Sequence, residues 1–197
     1  MRAVVIGIGG SGKTTLAKQL AAHHGLHYIE LDALHWLPDW QMREVHDFRA
    51  LVAQAVSHGK WVTDGNYRVV RDIVWGQATT VIWLNYPLWT VMGRLLRRTL
   101  RRMFTQELLF SGNRETLRRS FLSRDSILWY VLTHYAVTSA GYRQVFDDRP
   151  FPHLEWVELT IPGEAERYVS SLRSARAPSC RCDMGHTGDP LPPGNGV

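Results

Sequence analysis

The sequence predicts an α/β fold, a three-layer sandwich with a parallel sheet between helices. Three observations predict it. Short apolar runs of strand length alternate with longer segments whose apolar residues recur at helical spacing. The first such run, Ala3-Val4-Val5-Ile6, feeds directly into Gly7-Ile8-Gly9-Gly10-Ser11-Gly12-Lys13-Thr14, so a strand, a Gly-rich turn and a helix follow one another. The length of 197 residues, with 45% apolar and 21% charged residues, suits one domain with a small insertion.

The Gly-rich turn fits G-x-x-x-x-G-K-[ST], the phosphate-cradling P-loop. Its glycines let backbone N–H groups point at phosphate oxygens, and the helix N-terminus adds partial positive charge. Gly9, Gly10, Ser11, Gly12, Lys13, Thr14 and Thr15 are therefore the candidate nucleotide-binding residues. Lys13 is expected to reach the β- and γ-phosphates, and the Thr14 hydroxyl to ligate Mg²⁺, so ATP and Mg²⁺ are the expected cofactors. The same stretch also reads Gly7-x-Gly9-x-x-Gly12, the dinucleotide fingerprint, with Glu30 and Asp32 near its acidic position. Lys13-Thr14 decide for the P-loop, because a lysine buried in a dinucleotide turn would be costly without a phosphate partner.

The remaining elements follow in order. Leu16 and Leu20 mark the first helix, and Gly25 caps it in the left-handed conformation beside a surface pair, His23-His24. His27–Leu31 reads as the second strand. Asp32 falls at its carboxyl end, where α/β folds bind ligands, and could accept a proton from a substrate hydroxyl. Trp36 and Trp40 could stack on a substrate ring or pack a loop. Residues 43–58 read as a helix with Phe48, Leu51, Val52, Ala55 and Val56 on one face. Trp61-Val62-Thr63 is the third strand, ending at Asp64-Gly65-Asn66-Tyr67-Arg68, where Asp64 can hold Mg²⁺ through water and Arg68 can meet a substrate phosphate. Thr79–Leu84 is the fourth strand. The next helix, after Pro87, presents Leu88, Val91, Met92, Leu95, Leu96 and Leu100 as its buried stripe. Residues 127–145 read as helix, Leu154–Leu159 as a fifth strand, and residues 162–174 as a last helix.

Charge is concentrated. The net charge is +5, yet residues 94–124 hold nine arginines against two glutamates, so the rest of the chain is slightly acidic. Arg94, Arg97, Arg98 and Arg101 share a helix face, where like charges repel unless an anion joins them. Gly112-Asn113 signals a turn before Arg114, Arg118, Arg119 and Arg124. Residues 103–126 are therefore expected to form an Arg-rich helical lid over bound phosphates. Residues 1–174 read as one domain, and residues 175–197, rich in Pro, Gly and Ser, as a disordered tail. Cys180 and Cys182 lie in that tail, so no disulfide framework is expected, and neither is a signal peptide or a membrane span. A cytoplasmic monomer is the expectation.

These motifs resemble the nucleoside monophosphate kinases. The likeness is closest to the adenylate-kinase-related bacterial proteins known as DNA topology modulation proteins, and it covers residues 1–173. It is carried by Gly7–Thr15, Leu31-Asp32-Ala33-Leu34-His35-Trp36, Asp64-Gly65-Asn66-Tyr67 and Val81-Ile82-Trp83-Leu84-Asn85-Tyr86-Pro87. The resemblance implies a sheet order of 2-3-1-4-5. It makes Asp64 the Mg²⁺-water carboxylate and Arg68 the acceptor-phosphate arginine. Arg94 and Arg98 become the arginines flanking the donor nucleotide, with Arg98 catalytic, and Ile161-Pro162-Gly163 the loop under the donor base. On the acceptor side, Asp32-Ala33-Leu34-His35-Trp36 replaces the Thr-Gly-Asp segment of adenylate kinases. An Asp there is what shikimate- and gluconate-type kinases use to address a hydroxyl. The expected activity is Mg²⁺-ATP-dependent phosphoryl transfer to a nucleoside monophosphate or a hydroxylated metabolite. Lys13, Arg98 and Asp32 are the expected catalytic residues, and Asp32, Trp36, Asp64, Gly65, Asn66, Tyr67 and Arg68 the expected acceptor side. The alternative is a nucleotide-gated, nucleic-acid-binding regulator that uses the arginine segment on a phosphate backbone.

Overall fold

The computed structural model describes residues 1–105 and 127–174. The expected lid, apart from its first residues, and the expected tail lie outside the described residues. Five strands form one parallel sheet: β1 (Arg2–Gly7), β2 (His27–Glu30), β3 (Trp61–Asp64), β4 (Thr80–Leu84) and β5 (Glu155–Leu159). Their order is β2-β3-β1-β4-β5, as expected. The helices are α1 (Lys13–His24), α2 (Leu31–His35), α3 (Val45–Val56), α4 (Arg71–Gln77), α5 (Leu88–Thr105), α6 (Ile127–Asp148) and α7 (Pro162–Ser174). No helix among the described residues is long and apolar enough to cross a membrane.

Strand alternation builds two cores. Ala3, Val5, Val62, Ile82 and Leu84 face one side, against Leu16 and Leu20 of α1, Val91 and Leu95 of α5 and Val169 of α7. Val4, Ile6, Trp61, Val81 and Trp83 face the other, against Phe48 and Val52 of α3 and Val74 and Trp75 of α4. A parallel sheet covered on both faces needs apolar residues at nearly every strand position, which is why these runs read as continuous rather than alternating. The α6 helix serves both cores: Leu128, Val131 and Tyr135 join the first, while Tyr142, Val145 and Phe146 join the second.

Three details differ from the sequence reading. In α5, Leu96 and Leu100 are not in the buried stripe; they are 45% and 41% exposed, and Thr99 is buried instead. The helix buries positions 91, 95 and 99 along one line, and residues one step further on turn about 100° toward solvent. In α1, Gly25 does cap in the left-handed region with its N–H on the Ala21 carbonyl, but His24 is buried rather than on the surface. Strand β2 stops at Glu30, so Asp32 sits inside the one-turn α2 rather than at the strand end, because the chain turns to bury Leu31.

Candidate active site

The sheet register sets the site's floor. Val5 and Glu30 both pair with Asp64, and Gly7 pairs with Leu84, so the chain leaves β1, β2, β3 and β4 along one carboxyl edge. The Gly-rich turn rises from that edge. Gly7, Gly10 and Gly12 have φ of 151°, 85° and 100°. All three are also crowded by their neighbours: a Cβ on Gly7 would lie 2.8 Å from Ser11 Oγ and 2.9 Å from the Leu84 carbonyl oxygen. A Cβ on Gly10 would lie 2.3 Å from Leu95 Cγ, and one on Gly12 would lie 2.7 Å from Arg94 Nη1. Helix α5 thus moulds the turn from outside, a packing signal that the motif alone does not carry. Arg94 completes this contact, donating from Nη1 to the Ser11 carbonyl at 2.6 Å while its guanidinium covers the Tyr86 ring.

The turn suits an oxyanion. Helix α1 starts at Lys13, and the first N–H groups of any helix lack a partner within it. The Ser11 hydroxyl is fully buried and, among the described residues, has no hydrogen-bond partner. Such an orphan is costly unless a ligand or water satisfies it. Lys13 Nζ donates to the Ile8 carbonyl at 3.1 Å, folded back over the turn. Burial pushes the Lys13 ammonium down from its ordinary pKa; Asp64 and then Asp32 push it back up, and Arg98 lowers it further. Lys13, Asp32, Asp64 and Arg98 therefore share one electrostatic neighbourhood. Thr15 is exposed on the outer side of α1.

Two carboxylates stand at this edge, each gripped by a tyrosine. Asp64, buried at the end of β3, accepts from the Thr14 hydroxyl at 2.5 Å on Oδ2 and from the Tyr28 hydroxyl at 3.0 Å on Oδ1. Asp32 accepts from the Tyr67 hydroxyl at 2.5 Å on Oδ1. Burial, followed by the charge of Asp64 or Asp32 respectively, holds both tyrosines well above the usual phenol range, so both remain donors. Around Tyr67 stand His35 at 4.7 Å and Phe48 at 5.3 Å between ring centroids, and Trp36 packs edge-on against His35 at 4.9 Å. Trp36 and Trp40 pack edge to face at 5.7 Å, with Asp39 and Trp40 both at φ 58°.

The turn after β3 opens with Gly65 at φ 111°, its N–H on the Val5 carbonyl. Asn66 Oδ1 accepts from Arg71, which stacks on Trp75. Arg68 is exposed at the start of the next turn. Tyr142 of α6 reaches across to the Gly7 carbonyl at 3.4 Å. The structure thus brings Ser11, Lys13, Thr14, Asp32, Asp64, Tyr67, Trp36 and Arg98 into one neighbourhood, and leaves Arg68 at the rim. Sequence reading missed Tyr28, Leu95, Arg71 and Tyr142. Of these, Leu95 alone carried a signal, as part of the apolar stripe. Among the described residues no group of three or more His, Cys, Asp or Glu side chains gathers to cage a metal.

The family model for ATPases associated with various cellular activities (AAA) matches residues 3–70, from β1 to the turn after β3. No curated protein matches the sequence. Among solved structures, the chain is similar to a gluconokinase from Sinorhizobium meliloti 1021, with 19% identity over 88% of this chain and 93% of that one, and a TM-score of 0.47. It is also similar to a shikimate kinase from Acinetobacter baumannii in complex with shikimate, at 16% identity over 88% and 90%, TM-score 0.48. A shikimate kinase from Bacteroides thetaiotaomicron aligns at 14% identity over 89% and 97%, TM-score 0.48. The parallel sheet in order 2-3-1-4-5, the Gly-rich turn after β1 and the family match together make this a P-loop NTPase fold.

Proposed function

We propose that the protein is a small-molecule kinase that transfers a phosphoryl group from ATP to an acceptor hydroxyl. The observation that supports this most is the pair of carboxylates at one sheet edge, one tied to the P-loop threonine and the other open on one oxygen. Bound Mg²⁺-ATP supplies the transferable phosphoryl group and the divalent charge that offsets its oxygens. The N–H groups of residues 9–14 and the Ser11 hydroxyl hold the phosphates. Lys13 swings from the Ile8 carbonyl to neutralise them. Thr14 would hold Mg²⁺ directly, and Asp64, already bonded to Thr14, through water. Arg98 adds positive charge from α5, and Arg94 fixes the turn's shape. Asp32 accepts the acceptor's hydroxyl hydrogen and takes its proton as the new bond forms. A carboxylate in that place disfavours an acceptor whose reacting group is itself a phosphate, so a hydroxylated metabolite is favoured over a nucleoside monophosphate.

The test is transfer from γ-labelled ATP with Mg²⁺ to a panel containing gluconate, shikimate, simple polyols and sugars, and AMP. Transfer to a hydroxyl of a non-nucleotide is expected. Transfer to AMP alone would reverse the preference drawn from Asp32. Tight ATP binding with no transfer, together with salt-sensitive retention of duplex DNA, would replace the kinase with a nucleotide-gated regulator.

A further inference from the structure

The two site carboxylates are not equally engaged. Both oxygens of Asp64 are used inside the protein, by Thr14 and Tyr28. Asp32 has a partner on Oδ1 alone, the Tyr67 hydroxyl, and among the described residues Oδ2 has none. Tyr67 is itself held from behind, by His35 and Phe48 at its ring. The phenol has one hydrogen, and Asp32 receives it. The bond joins two segments far apart in sequence, which β2–β3 pairing and the His35–Tyr67 ring contact bring together. Resting on the kinase reading, we infer that Tyr67 is a positioning residue for Asp32: it fixes Oδ1 and leaves Oδ2 as the oxygen that receives the acceptor's hydroxyl. Tyr67, expected from sequence to contact substrate, thus acts through Asp32. The acceptor class that fits is a neutral hydroxyl donor, since an acceptor-only group would leave Oδ2 unpaired and repelled.

The test is a double-mutant cycle on the full-length chain with Tyr67→Phe, Asp32→Asn and the double variant, read two ways. In urea denaturation, which needs no substrate, the midpoint shifts of the single variants should be non-additive. In the γ-labelled ATP assay with the acceptor panel above, Tyr67→Phe should lower kcat by about 10- to 100-fold, the scale of a hydrogen bond to a charged group. The KM for ATP should stay unchanged, and Tyr67→Phe should add nothing to Asp32→Asn. Additive midpoints would overturn the grip itself, whether or not the chain is a kinase. Coupled midpoints with unchanged kcat in Tyr67→Phe would reduce Tyr67 to a structural contact and overturn its positioning role. A wild-type chain that transfers to no acceptor would overturn the kinase reading and, with it, the catalytic part of the assignment, even if the midpoints remain coupled.

Discussion

The ends of β2 and β3 carry the same side chain to the same edge and prepare it for different work. Asp64 closes β3 as a buried residue with both oxygens bonded. Asp32 lies two residues past β2, partly open, with one oxygen bonded. A carboxylate satisfied by its own protein has little to gain from a substrate and much to lose if removed. One that keeps a free oxygen beside a lysine is placed to take a hydrogen bond from outside. Burial and saturation, not residue type, separate the two carboxylates, and on the proposed reading they divide the work: Asp64 braces the phosphate cradle and Asp32 meets the acceptor.

Substitutions sharpen this contrast. Lys13 answers to both carboxylates, so Lys13→Ala should have the largest effect, a loss of transfer of about 10³-fold or more. Its melting temperature should change little; a variant that keeps wild-type turnover would sink the phosphate role of the turn. Asp64→Ala should lower stability by about 1–3 kcal/mol, because it strands the Thr14 and Tyr28 hydroxyls in a buried place. Asp32→Ala should cost far less in denaturant and far more in turnover. Equal destabilisation by the two would erase the distinction.

The wall of the cradle is read through stability rather than turnover. Gly10→Ala places a Cβ inside Leu95 and in a left-handed backbone, so a loss of about 1–3 kcal/mol is expected with weakened nucleotide binding. Leu95→Ala should cost about 2–5 kcal/mol, as for other buried leucines. Leu96→Ala, on the exposed side of the same helix, should stay within about 0.5 kcal/mol. Urea midpoints of the two leucine variants would reveal whether α5 meets the turn through the face described here.

How far the sequence foretold this depends on how local each feature is. The P-loop was legible because its chemistry is written in consecutive residues: glycines where φ is positive, then Lys13 and Thr14. Strand order followed from resemblance, since nothing in five apolar runs states which pair. Asp32 and Asp64 were legible as residues at strand ends, but not as different. Their difference rests on Tyr28 and Tyr67, and it exists only once β2 lies beside β3 and the turn after β3 folds over α2. Those are contacts between distant segments, which no spacing rule records. The stripe on α5 was misjudged at Leu96 and Leu100 for a related reason. An apolar residue can sit one step off the buried line and still look periodic, and the neighbour decides where the line falls.

The measurement that bears most directly on the account is Mg²⁺-ATP affinity by calorimetry for the wild type, Asp64→Asn and Asp32→Asn. If Asp64 serves the cradle and Asp32 the acceptor, Asp64→Asn should weaken Mg²⁺-dependent ATP binding. Asp32→Asn should bind ATP like the wild type while losing transfer. Weakened ATP binding in Asp32→Asn, with Asp64→Asn unaffected, would contradict the account.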